Sequence, residues 1–212
     1  MNEFGDLCDD GTFYICRLRM KAASYYILMP LLLLSDMGKK TAFIGHREVR
    51  FANVVRERVS NAVNERIEDG CKTFLMGAHG EYDQLALDVC REAKRKYPDI
   101  KIIVVLTSYH LLAQKNACGF DSYSDVETLF YEIEDKHFKQ RIIASNRCMI
   151  DECDALICYV DKRRKGSGAK RALSYAEKCG STIVNTFRAE DDPTYYMTAE
   201  ERLAYWQKRF KK

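Results

Sequence analysis

The chain has 212 residues, enough for one well-buried core with appendages. Its 47% apolar and 31% charged content is ordinary for a globular protein, and a net charge of +3 does not by itself call for nucleic acid. The nine cysteines are odd in number and follow no CxxC or Cys/His spacing. That argues against a disulfide framework and a zinc site, and for reduced thiols in a cytoplasmic protein; no metal and no cofactor is expected.

Residues 1–36 differ from the rest, with acidic residues and glycine around one apolar run, 25–34, that Pro30 interrupts. That run is too short for a bilayer, which takes about twenty residues, so no membrane partner is expected. A signal peptide starting at Met20 would need a small-residue cleavage site, and Ser35-Asp36 follows instead. The preferred reading makes residues 1–36 an upstream extension outside the core, with Met37 as the natural start.

Thr41-Ala42-Phe43-Ile44 reads as a first strand, ended by Gly45-His46-Arg47. Phe51, Val55, Val59, Ala62 and Ile67 then keep a helical stripe up to Asp69-Gly70, a good helix end. Residues 72–76 make a second strand, closed by Gly77-Ala78-His79-Gly80. Leu85, Ala86, Val89, Cys90 and Ala93 mark the next helix, which stops at Tyr97-Pro98. Residues 100–106 are the strongest strand in the chain. Residues 107–124 show no period and read as a loop or insertion, and 126–133 as a short strand or a helical turn.

Residues 138–153 form a helix with Ile142, Ile143, Met149 and Ile150 as its buried stripe. Asn146 falls inside that stripe and Arg147 on its edge. An unpaired buried amide costs about 1–3 kcal/mol, so either Asn146 bonds to neighbouring backbone or Ser145-Asn146-Arg147 faces a cleft at the strand ends. Residues 154–160 are a short apolar strand, followed by the basic turn 161–165 and by Gly166-Ser167-Gly168. From Ala169 the period changes, and Ala169, Ala172, Leu173 and Ala176 share one helix face up to Gly180. A further strand covers 181–187, which completes a βαβ unit. Glycines at the mouth of such a helix either make a tight turn or let backbone N–H groups reach a phosphate.

The alternation of strands and helices predicts an α/β fold: a Rossmann-like open, mainly parallel sheet with helices on both faces, forming a single domain over 37–187. Residues 188–212 are a polar tail and a helix whose stripe, Leu203, Trp206 and Phe210, is expected to pack on the domain or on a second subunit. The second of these would make a homo-oligomer. The basic end of that helix, Lys208 to Lys212, has an ordinary explanation in the helix dipole.

Four stretches resemble one family in order and spacing across residues 39–187. Phe43-Ile44-Gly45-His46-Arg47 is similar to the opening Gly-His-Arg turn of the YpsA-like branch of the SLOG superfamily, Rossmann-like domains that include DprA (Smf) and the LOG phosphoribohydrolases. The stretch from Phe74 to Asp83 resembles that branch's second glycine turn with its following Asp. Ser145-Asn146-Arg147-Cys148-Met149-Ile150-Asp151 resembles its Asn-Arg-x-Met-[Ile/Val]-Asp helix, and 154–185 with Gly166-Ser167-Gly168 completes the match. The resemblance implies a pocket at the carboxyl ends of the strands for a nucleotide or related phosphate compound. Its ligand-binding residues would be Gly45, His46, Arg47, Gly77, Ala78, Gly80, Asp83, Asn146, Arg147, Gly166, Ser167 and Gly168.

The chain departs from the LOG enzymes where their chemistry lies. Aligned on the loop glycines, Ala169 stands at the LOG threonine, Ala172 at the glutamate that helps break the N-glycosidic bond, and Lys165 at the first loop glycine. An alanine cannot act as acid or base, so LOG-type hydrolysis is not expected and no catalytic residue is assigned. Phosphate binding needs only backbone donors and positive charge, and both are present. His46 is either a proton-transfer group or a hydrogen-bond donor, and Arg47 suits bidentate phosphate contact. Asp83 either binds a ribose hydroxyl or caps the helix that begins beside it. The cluster from Lys162 to Lys165 is either a solvated face or a source of positive field. Three functions remain: a nucleotide-phosphate sensor, which is preferred; a nucleotide hydrolase using Asp83 or Asp151; and a DprA-like nucleic-acid-binding module.

Overall fold

Both faces of the central strands are apolar, and this decides the architecture. In β1 (Lys39–Gly45) Phe43 packs into one buried cluster while its neighbours Ala42 and Ile44 pack into another. Successive side chains of a strand point to opposite faces, so a strand apolar throughout must be covered on both sides. The computed structural model describes residues 38–107, 123–131, 133 and 137–210. The expectations for residues 1–36, for Met37 and for most of the 107–124 loop lie outside the described residues.

The elements after β1 are α1 (Ala52–Glu68), β2 (Cys71–Met76), α2 (Glu81–Lys96), β3 (Lys101–Leu106), β4 (Glu127–Phe130) and α3 (Phe138–Glu152). Then come β5 (Ala155–Tyr159), α4 (Gly168–Lys178), β6 (Thr182–Asn185), a 3-10 turn (Ala189–Asp191) and α5 (Ala199–Phe210). The six strands form one sheet in the order β4-β3-β2-β1-β5-β6, every pair parallel. Helices α1 and α2 cover one face with Phe43, Phe74, Met76, Ile102 and Val104. Helices α3 and α4 cover the other, with Ala42, Ile44, Leu75, Val105 and Leu156. This is the expected Rossmann-like α/β fold.

The strand order carries the functional geometry. The chain walks outward from β1 to β4, then crosses back to lay β5 on the other flank of β1, with Gly45 opposite Tyr159. The turns after β1 and β5 therefore leave in opposite directions and open a crevice at their carboxyl ends. Asn185 fixes the β5 side of it. Its side chain accepts from the Val160 N–H at 3.1 Å and donates to the Val160 carbonyl at 2.9 Å.

One open reading is decided by the fold, and one element differs in detail from expectation. The stretch 126–133 contains a strand, because its backbone pairs with β3. Phe51 does not join the buried stripe of α1; it is the N-cap, at φ 55 and 40% exposed, and Val63 completes the stripe instead. Helix α5 has no buried residue. Leu203 and Phe210 stay 61% and 78% exposed, and Trp206 stacks on Phe210 with ring centroids 5.8 Å apart. The segment before α5 is tied down by ion pairs, Arg58 to Asp191 and Arg50 to Asp192. All six described cysteines are free thiols, and burial pushes the Cys158 thiol up to about 12. No helix among the described residues is long and apolar enough to cross a membrane.

Candidate functional site

A cavity of about 370 Å³ opens at the carboxyl edge of β1, beside the reversal of strand order. Every expected site residue except Ala78 and Arg147 lines it: Gly45, His46 and Arg47 after β1, Gly77, Gly80 and Asp83 around the start of α2, Asn146 from α3, and Gly166, Ser167 and Gly168 before α4. Ala78 lines a separate, smaller hollow with Gln84 and Tyr123. Arg147 lies about 100° further round α3 than Asn146. Its guanidinium sits 5.4 Å over the Tyr175 ring of α4, and the cavity lining does not include it. Arg164 and Lys165 line the cavity instead. In the sequence that pair belongs to a charge cluster, and no helical or strand period marks a loop residue.

His46 is held on three sides. Its N–H donates to the Tyr159 carbonyl at 3.1 Å, its Nε2 accepts from the Asp161 N–H at 2.8 Å, and its Nδ1 lies 3.2 Å from Ser167 Oγ. A nitrogen that accepts a backbone N–H carries no proton, so the neutral ring is protonated on Nδ1. Burial, reinforced by the nearby Arg164, holds this imidazole below its ordinary pKa and keeps it neutral. Nδ1–H therefore donates to Ser167 Oγ. That oxygen also accepts from the Lys170 N–H at 3.3 Å, as the N-cap of α4. With both acceptor positions of Oγ engaged, the hydroxyl proton is left to donate to something else, and Ser167 lines the cavity. The geometry thus gives His46 the role of a donor that orients Ser167, and Nδ1 is unable to take a proton from it.

The start of α4 offers further donors. The N–H groups of Gly168 and Ala169 have no partner within the helix, and the helix dipole places positive charge there. A Cβ on Gly168 would meet no atom within 4 Å, whereas one on Gly45 would come 2.3 Å from the Tyr82 ring. Gly166 turns the chain at φ 69, a conformation that glycine adopts without strain. Arg47, Arg164 and Lys165 have no ion-pair partner among the described residues, whereas Lys162 is paired with Glu177 at 2.8 Å. The Asn146 amide likewise has no hydrogen-bond partner among them and lines the cavity, whereas its neighbours Ser145 and Arg147 do not.

The second glycine turn is different. Asp83 Oδ2 accepts from the N–H groups of His79, at 2.9 Å, and Gly80, at 3.2 Å, so Asp83 caps α2. Loss of water around it pushes the Asp83 carboxyl up to about 6. His79 Nε2 lies 3.0 Å from Thr107 Oγ1. Of the other residues weighed from the sequence, Asp151 accepts from Tyr175 Oη at 2.8 Å, away from the cavity, and Ala172 is buried in the core. Among the described residues no group of three or more His, Cys, Asp and Glu side chains is placed to hold a metal ion.

Beyond His46 and Arg164, which line both, lies a second cavity of about 450 Å³. Its walls include Phe51, Tyr159, Phe187 and Tyr195 with several arginines and carboxylates. Sequence reasoning missed it. Its residues come from the start of α1, the end of β5 and the segment after β6, and only the fold brings them together.

No protein-family model matches the chain, and no curated protein does. Among solved structures the chain is similar to DNA processing protein A from Helicobacter pylori, a protein with a single-stranded DNA binding mode. The identity is 18% and the TM-score 0.47, over 68% of this chain and 63% of that protein. The chain thus spans a little under two thirds of the length of that neighbour.

Proposed function

We propose that the chain is a sensor-like protein of the YpsA-like SLOG type that binds a nucleotide or nucleotide-derived phosphate at the glycine-turn cavity. Residues 37–187 form the binding domain in this reading, and residues 1–36 stay outside its core. One observation carries it. The Gly166-Ser167-Gly168 turn presents two unengaged backbone N–H groups and a serine hydroxyl, beside three cations without ion-pair partners. This donor set suits an anion with several acceptor oxygens. Nothing in it is built to attack one.

Mass spectrometry of small molecules retained on the purified chain tests the reading. Calorimetric titration of the wild type with pyrophosphate supplies a defined probe. A retained nucleotide-like phosphate, with saturable pyrophosphate binding that competes with it, is expected. Absence of both would sink the proposal.

A second reading has one observation in its favour: Asp83, with its carboxyl near 6, lines the same cavity and has the pKa of a general acid. Turnover of nucleoside monophosphates by the wild type, lost in Asp83→Asn, would establish hydrolysis. A DNA-binding module is separated by salt. Tight binding to single strands that persists at about 0.2 M salt would favour it, since contacts to phosphate alone weaken steeply there.

A further inference from the structure

The two cavities that share His46 and Arg164 differ in chemistry. In the glycine-turn cavity Arg47, Arg164 and Lys165 face one carboxylate, Asp83, which backbone N–H groups already hold. In the second cavity five arginines and four carboxylates nearly balance. Several of those charges are engaged within the protein. Arg50 pairs with Asp192 at 2.8 Å, Arg163 lies 4.9 Å over the Tyr195 ring, and Arg188 donates to the Asn185 carbonyl at 2.9 Å. Such a cavity offers little net field to a phosphate. It offers aromatic surface with polar edges, which suits a planar heterocycle.

Phe51 adds an independent observation. It sits in the left-handed region at φ 55 and ψ 47, the single non-glycine residue with positive φ among the described residues. A bulky side chain there is a steric outlier, and outliers of this kind gather at ligand sites. The residue remains 40% exposed at this cavity, although a glycine would cap α1 in that conformation without strain.

We propose that the ligand is a nucleoside phosphate lying across both cavities, with its phosphate at the Gly166-Ser167-Gly168 turn and its base against the aromatic wall that includes Phe51 and Tyr195. This rests on the phosphate reading above and adds the seat of the base to it. Glu48, which lines the second cavity and has no hydrogen-bond partner among the described residues, would accept from a sugar hydroxyl or a base amine.

Calorimetric titration of the full chain with the four nucleoside 5′-monophosphates, ribose 5-phosphate and inorganic phosphate tests it, in the wild type and in Phe51→Gly. Glycine adopts φ 55 freely and is a good N-cap, so this variant should melt at or above the wild-type temperature. The tightest nucleotide should bind the wild type about ten-fold more tightly than ribose 5-phosphate, the scale of one base stacking on one ring. Phe51→Gly should remove that gap and leave ribose 5-phosphate affinity unchanged. Tyr195→Leu, read in the same way, should narrow the gap from the other part of the wall. If ribose 5-phosphate binds the wild type as tightly as any nucleotide, or if both variants keep the gap, the base seat is overturned and the phosphate reading stands. If no probe binds, both fall.

Discussion

Two turns in this chain have the same sequence grammar, glycines between a strand and a helix, and different states. At Gly77 to Gly80 the protein supplies its own anion: the Asp83 carboxylate takes the His79 and Gly80 N–H groups. At Gly166 to Gly168 the cap is a neutral serine that takes, of the turn and helix N–H groups, that of Lys170, and a Cβ at Gly168 would meet open space. The lesson is that a glycine turn marks a phosphate cradle only when its donors are not already engaged. One acidic residue three positions into the helix is enough to close it.

Gly168→Val tests this difference most severely. The added side chain meets no protein atom within 4 Å at its Cβ, so the fold should survive while pyrophosphate and nucleotide binding fall below detection by calorimetry. Binding retained at wild-type strength would mean that the anion lies elsewhere. Next in size come the cations. Arg47→Ala and Arg164→Ala should each weaken anion binding by about 1.5–3 kcal/mol, the scale of a charge-assisted hydrogen bond, with little change in melting temperature. Arg147→Ala, whose guanidinium lies over Tyr175, should change binding by less than about 0.5 kcal/mol, as a group outside the cavity.

The caps separate the two turns more finely. Ser167→Ala, which removes an N-cap, and Asp83→Ala, which removes the capping carboxylate at the third residue of α2, should each cost about 1 kcal/mol of stability in chemical denaturation. Only Ser167→Ala should also weaken sulfate binding. Equal effects of both on binding would show the second turn to be part of the anion seat.

The smallest effect is on pH. Asp83 is raised to about 6, so its neutral form is favoured in the folded chain, and its contribution to stability is lost as pH rises through that value. His46 is lowered by burial and Arg164, so its contribution is present above its ordinary value of 6.5 and is lost as pH falls below it. The two oppose each other, and the wild-type melting temperature should change little between pH 7 and pH 5. Asp83→Asn should uncover the histidine, so that the variant's melting temperature falls over the same interval. A variant whose profile matches the wild type would refute this assignment.

The sequence by itself determined the fold class and most of one cavity. Short apolar strands alternating with amphipathic helices permit few arrangements other than a covered parallel sheet, and parallel order sends every βα turn to the same edge. Gly45, Gly80 and Gly168 are therefore legible as neighbours from the sequence. Tertiary structure alone decided which turns are open. Periodicity says that Asn146 and Arg147 adjoin, yet only the packing of α3 against α4 sends the arginine over Tyr175 and leaves the asparagine at the cavity. A histidine after a strand has no tautomer until a backbone N–H meets one of its nitrogens, and Asp161 does this from 115 residues away. The second cavity, made from the ends of three distant segments, has no linear pattern at all, because period reports which face of an element is buried and never which loops meet.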